Sequence, residues 1–284
     1  MKSWKQIIQY STFRYIDHSH IKTFESEPYT ALTSFAIDDA LATSVSNKKS
    51  PPTMRTWVHP KTVVLGIPDA RVPFLAEGVH LLKNEGYHVI VRNSGGLAVA
   101  LDEGVLNLSL ILPEVKHLSI HDCYEAMVSF VQYMLKDLTD DIKAFEIVDS
   151  YCPGDYDLSI NNQKFAGISQ RRIKDGAAIQ IYLDVEGNSK QRAQLIRRFY
   201  DKSIQGNETK FTYPKVNPDK MASLSTLLGI NLTVPDLMER VLSTLKELNE
   251  DVIMSNKFSS FEKGIFGKRY EQMGKRNQVI REIN

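Results

Sequence analysis

Asn161-Asn162-Gln163 separates two runs of strand-forming residues, Tyr156 to Ile160 and Lys164 to Ser169. Asparagine tolerates positive φ, so such a pair between two such runs predicts a tight β-hairpin. Further strand runs lie at Thr56-Trp57-Val58, Thr62 to Gly66, His88 to Val91, Leu97 to Leu101, Leu106 to Leu112 and Ala177 to Val185. Antiparallel pairing at the hairpin, with helices interspersed among the other strands, points to an α+β fold with a mixed β-sheet covered by helices.

The helices announce themselves by period. Phe35, Ile37, Ala40, Leu41 and Val45 recur at helical spacing, with Ser34 as the expected N-cap. Residues 72–86 read as an amphipathic helix ending at Gly86, a natural C′ residue. Asp122 to Leu138 keeps the 3.6 period through Tyr124, Met127, Val128, Val131, Met134 and Leu135, and Asp122 with Glu125 has the spacing of a capping box. The first thirty residues lack periodicity and read as an arm or edge strand, and beyond about residue 190 the pattern turns helical and stays so. No linker divides the chain, so residues 1–284 are expected to form a single domain.

Charge excludes some partners. Lys plus Arg total 35 against 34 for Asp plus Glu, a net charge of +1 that draws the chain to neither nucleic acid nor an anionic membrane. Two cysteines are too few for a secreted disulfide framework, and no apolar signal-peptide core follows Met1-Lys2-Ser3-Trp4-Lys5-Gln6. The longest apolar stretch, Leu106 to Leu112, is interrupted by Asn107 and Ser109 and is too short to span a bilayer. A cytoplasmic protein is expected.

Few residues offer chemistry. Cys152 stands in Ser150-Tyr151-Cys152-Pro153-Gly154-Asp155, where Pro-Gly marks a turn. A small buried hydrophobe is the commoner fate of such a cysteine. The alternative is an accessible thiol, with Lys164, Arg171 and Arg172 following as cations that would favour the thiolate. Cys123, next to Asp122 and near Glu125, reads as a packing residue on an amphipathic helix. Arg92-Asn93-Ser94-Gly95-Gly96 carries adjacent glycines that let the backbone approach a ligand, or that simply join two strands. Lys164 reads by default as a solvated hairpin shoulder. The seven histidines show no metal spacing, so no metal is expected, and the serines lack a nucleophile-elbow context.

Taken together these segments say more. Val91-Arg92-Asn93-Ser94-Gly95-Gly96-Leu97-Ala98-Val99-Ala100-Leu101-Asp102 resembles the Arg-Arg-x-Ser-Gly-Gly-Gly-x-Val-x-His-Asp signature of the lipoate–protein ligases and octanoyltransferases. Leu106-Asn107-Leu108-Ser109 stands where that family has Leu-Asn-x-Ser. Lys164-Phe165-Ala166-Gly167-Ile168-Ser169-Gln170 resembles the segment bearing its catalytic lysine, and Asn217 to Leu224 resembles its Asn-Pro-x-x-Met-x-Ser-Leu. Asn93, Leu97 and Leu101 depart from the signature, replacing an Arg, a Gly and a His. The likeness covers about 35–228, leaving 229–284 as a helical C-terminal extension.

The resemblance implies a fold like the biotin/lipoate protein ligase catalytic domain. A cysteine before the lysine, in Ser-Tyr-Cys-Pro-Gly-x-Tyr-Asp-Leu-Ser-Ile, is similar to the amidotransferase branch of the family. That branch implies an octanoylated glycine cleavage H protein as donor and lipoyl domains of 2-oxoacid dehydrogenase acyltransferase subunits as acceptors, with no cofactor. It implies catalytic roles for Cys152 and Lys164, with Arg92, Asn93, Ser94, Gly95, Gly96, Asp102, Gly167 and Ser169 at the substrate. Two sibling activities stay open: octanoyl transfer from acyl carrier protein, and ATP-dependent ligation of lipoate. A non-enzymatic module that holds lipoyl domains also stays open. For Cys152 to reach Lys164, Pro153-Gly154 must fold the loop back, because eight straight residues would separate Cys152 from Ile160 by up to ~26 Å.

Overall fold

The computed structural model describes residues 3–283; Met1, Lys2 and Asn284, the ends of the expected arm and C-terminal extension, lie outside them. The strands are β1 (Thr12–His18), β2 (Thr23–Phe24), β3 (Glu27–Pro28), β4 (Thr53–Trp57), β5 (Thr62–Leu65), β6 (His88–Val91) and β7 (Val99–Leu101). They continue with β8 (Val105–Leu112), β9 (Lys143–Ala144), β10 (Leu158–Ile160), β11 (Gln163–Ile173), β12 (Gly176–Asp184) and β13 (Asp251–Met254). The helices are α1 (Trp4–Ile8), α2 (Ala31–Ser46), α3 (Leu75–Asn84), α4 (Ile120–Met134), α5 (Ser189–Ile204), α6 (Leu224–Leu228), α7 (Val234–Leu248), α8 (Ser260–Arg276) and α9 (Gln278–Arg281).

An eight-stranded sheet runs β13-β1-β4-β8-β12-β11-β10-β9, parallel at its β13-β1-β4 end and antiparallel from β4 onward. A smaller sheet, β6-β5-β7, combines one parallel and one antiparallel pair. The mixed α+β architecture read from the hairpin is therefore present. Asn161 and Asn162 adopt φ of 51° and 59°, the left-handed values a two-residue hairpin turn requires.

Both faces of the large sheet are covered. On β8, Leu106, Leu108, Leu110 and Leu112 face α4 and α7, whereas Val105 and Ile111 face α2 and α5. The polar interruptions Asn107 and Ser109 fall on the second face by the same alternation. There Ser109 Oγ donates to Asp38 Oδ2 (2.7 Å) and Asn107 Nδ2 to the Trp57 carbonyl (3.2 Å). Helix α2 is buried almost all round, and Asp38 within it is neutralised by the buried Arg55 at 2.7 Å.

Several expectations need correction. Ser34 does not cap α2, which starts at Ala31; its hydroxyl is used by Tyr29 and His59 instead. Helix α4 is capped by Ser119, and Asp122 is the reciprocal partner within the capping box (2.7 and 2.9 Å). That helix ends at Met134 rather than Leu138. Within the first thirty residues, β1 is an interior strand, because β13 from the C-terminal extension pairs outside it. The extension is thus not wholly helical. The helix expected over 72–86 is α3, preceded by a short 3-10 turn, and Gly86 follows it with φ of 82°.

Candidate active site

The segment 145–157 has little regular structure and is tied down by one carboxylate. Asp157 Oδ2 accepts from the Ile147 and Gly154 N–H groups (both 3.2 Å), and the Asp157 N–H donates to the Gly154 carbonyl (3.0 Å). These bonds fold Pro153-Gly154 back over the sheet. Cys152 sits in the fold with φ of 48°, a left-handed conformation that costs a non-glycine residue roughly 1 kcal/mol or more. Its side chain is half-buried.

The fold-back brings the Cys152 loop onto β11. Lys164, fully buried, donates through Nζ to the carbonyls of Cys152 (2.7 Å) and Tyr151 (3.0 Å) and to Ser150 Oγ (3.3 Å). Its ammonium also pairs with Asp157 Oδ1 at 2.8 Å. Burial pushes the Asp157 carboxyl up, while the adjacent ammonium pulls it back. Lys164 is therefore no solvated hairpin shoulder, and it meets Cys152 at the backbone. The sulfur faces elsewhere: the Leu97 N–H donates to Sγ at 3.1 Å and Arg92 Nη2 at 3.4 Å.

Gly96 makes that approach possible. A Cβ there would lie 2.2 Å from Arg92 Nη2 and 2.9 Å from the sulfur, and its φ of 97° already favours glycine. Behind it, Gly66 leaves room for the Gly96 carbonyl, which a Cβ would meet at 1.9 Å. Asp69 fixes this turn by accepting from the Gly66 N–H (2.7 Å) and Tyr200 Oη (2.9 Å), and Tyr200 Oη in turn accepts from the Ala98 N–H (3.3 Å).

Cys152 opens onto a cavity of about 280 Å³, near the lower end of small-molecule sites. Its apolar wall draws on both sheets and on α2 through Phe35, Trp57, Val64, Val99, Leu101 and Ile168. Tyr156 lies at its rim, bonded to His121 Nδ1 (3.0 Å) and packed against the Tyr124 ring. An apolar slot with a thiol at one wall suits an acyl chain whose carbonyl carbon is presented to sulfur.

Among the residues singled out from sequence, Arg92, Gly95, Gly96, Gly167 and Ser169 line this cavity together with Cys152. Ser94 is one step behind, its Oγ 3.4 Å from that of Ser169. Asn93 is buried, with no partner for its Oδ1 among the described residues. Asp102 lies outside the lining, its carboxylate engaged by Arg192, which also pairs with Asp184 at 2.8 Å. Cys123 is buried on α4; burial pushes its thiol up, which suits packing. Sequence reasoning passed over Asp157, although it stands inside the Ser-Tyr-Cys-Pro-Gly-x-Tyr-Asp segment, and over the His121–Tyr156 rim.

The fold and this site define an acyl-handling catalytic domain, and comparison with known families agrees. The family model described as lipoyl protein ligase A/B catalytic domain matches residues 30–246, and the chain belongs to that family. It is 61% identical, over 98% of its length and 99% of the relative's, to the octanoyl-[GcvH]:protein N-octanoyltransferase of Oceanobacillus iheyensis. It is 43% identical to the lipoyl-[GcvH]:protein N-lipoyltransferase of Listeria monocytogenes, over 96% of this chain and 97% of that one. Among solved structures, a bi-partite lipoate protein ligase from Thermoplasma acidophilum, studied with its E2 lipoyl domain, shares the fold with a TM-score of 0.68. That likeness covers 93% of each chain at 17% identity.

Proposed function

We propose that the protein is an amidotransferase of lipoate biosynthesis. It moves an octanoyl group from octanoylated glycine cleavage H protein to a lysine on lipoyl domains of 2-oxoacid dehydrogenase acyltransferase subunits. The observation that carries this reading is full-length similarity to relatives named for octanoyl or lipoyl transfer from GcvH, joined to a thiol at the wall of an apolar slot. Such chemistry would take place in the cytoplasm; among the described residues no helix is long and apolar enough to cross a membrane.

Moving an acyl group between two lysine amides breaks and forms the same bond type, so its free-energy change is close to zero and no ATP is needed. The obstacle is kinetic, and a covalent intermediate divides it into two smaller steps. In the first, the Cys152 thiolate attacks the octanoyl carbonyl carbon. The C–S bond forms, the C–N bond to the donor lysine breaks, and the departing amine takes up a proton. In the second, a neutral acceptor lysine attacks the thioester, a new C–N bond forms, the amine releases its proton and the thiolate is restored. The slot holds the chain at ~0.8 kcal/mol per buried methylene. Lys164 serves this reaction by holding the Cys152 carbonyl, and through it the nucleophile's loop.

A donor comparison tests the reading. With ATP absent, octanoylated H protein is expected to support modification of a lipoyl domain, and Cys152→Ala to abolish it. Equal or better transfer from octanoyl-acyl carrier protein, or a requirement for ATP, would move the protein to a sibling activity.

A further inference from the structure

We propose that Arg92 and the Leu97 N–H form an anion site for the Cys152 sulfur, so that the cation acting on the nucleophile comes from the glycine loop and not from Lys164. This deepens the transfer reading and rests on Cys152 being the nucleophile. Three observations carry it. The first is the geometry: Leu97 accepts from Arg92 Nη2 through its carbonyl (2.8 Å) and donates to Sγ through its N–H (3.1 Å), so one residue holds both guanidinium and sulfur, and Nη2 itself lies 3.4 Å from Sγ.

The second is charge. Arg92 is 6% exposed, and among the described residues it has no carboxylate in ion-pair contact, while its Nε lacks any hydrogen-bond partner. A buried guanidinium without an anion is costly, so the arrangement calls for negative charge at the atom it faces. Asp69 is near enough to feel Arg92, but its oxygens are taken by Gly66 and Tyr200. The ammonium of Lys164, by contrast, already has Asp157. The third is space: any side chain at residue 96 would collide with both the guanidinium and the sulfur, so the glycine is what lets them meet.

The test is alkylation of Cys152 by iodoacetamide across pH, in a Cys123→Ala background that leaves one thiol. It needs neither donor nor acceptor. Arg92→Gln is expected to alkylate about tenfold more slowly at neutral pH, its rate recovering only at higher pH, as expected for loss of an opposite charge at this range. Arg92→Lys keeps the charge but loses the Nη2 group that bridges the Leu97 carbonyl and the sulfur, and a smaller, severalfold loss is expected. A folded Arg92→Gln protein with the parental rate and pH profile would overturn the proposal. Should that variant fail to fold by circular dichroism, Arg92→Lys decides: an unchanged rate overturns, a severalfold loss supports. If the pH profile moves as stated but no acyl group ever resides on Cys152, the transfer reading fails while the anion site stands.

Discussion

Cys152 is held from two sides, and the two are built differently. On its carbonyl side the side-chain partners come from nearby in the chain: residues 145–157 fold back onto Lys164, and Asp157 closes the ion pair in a setting where both side chains are nearly inaccessible. On its sulfur side the partners come from about sixty residues earlier, through two glycines that allow close approach and a buried Asp69–Tyr200 brace. Each side supplies one cation. The difference teaches that of two cations beside one cysteine, one can fix the backbone while the other faces the sulfur, and under the proposed function only the second would act on the reacting atom.

The largest effect expected from breaking this comparison is on the carbonyl side. Asp157→Asn leaves a buried ammonium without its carboxylate, which typically costs ~3–5 kcal/mol of folding stability. Chemical denaturation should show that loss, and the double variant Asp157→Asn/Lys164→Met should be less destabilised than Asp157→Asn alone. A cost under ~1 kcal/mol, the scale of an exposed pair, would mean that this side does not hold the loop.

The sulfur side is sharpened by pH. Burial raises the Asp69 carboxyl from the ordinary 3.8 to about 6. The folded protein therefore holds this proton more tightly than the unfolded chain, and the associated stability is present below pH ~4 and lost as pH rises through ~6. A shift of roughly two units corresponds to about 3 kcal/mol. Asp69→Asn removes the titration, so its stability relative to the parent should improve steadily between pH 4 and 7 in denaturant titrations. A difference independent of pH would show that Asp69 is not a buried titrating brace.

Much of this was legible in the chain. The Asn161-Asn162 hairpin, the strands flanking the glycine pair and the helical periods follow from local stereochemistry, which is why they survive into the fold. The caps slipped by a few residues because Ser34 and Asp122 are themselves good capping residues, and only tertiary partners such as Tyr29 and His59 decide between neighbours. The edge position expected for β1 failed for a longer-range reason: its outer neighbour, β13, lies 239 residues further along. Cys152 and Lys164 could be picked out, but not which atoms would meet. That depends on Asp157 folding the loop, and on a sulfur turned by a left-handed φ toward Arg92. No periodicity records either.

The most direct test is to incubate the protein with octanoylated H protein, without acceptor, and to measure intact mass followed by peptide mapping. The expected result is one added octanoyl group, sensitive to hydroxylamine as a thioester is, on the peptide containing Cys152 and none on the peptide containing Cys123. Efficient transfer to a lipoyl domain with Cys152 never acylated, or undiminished in Cys152→Ser, would contradict it.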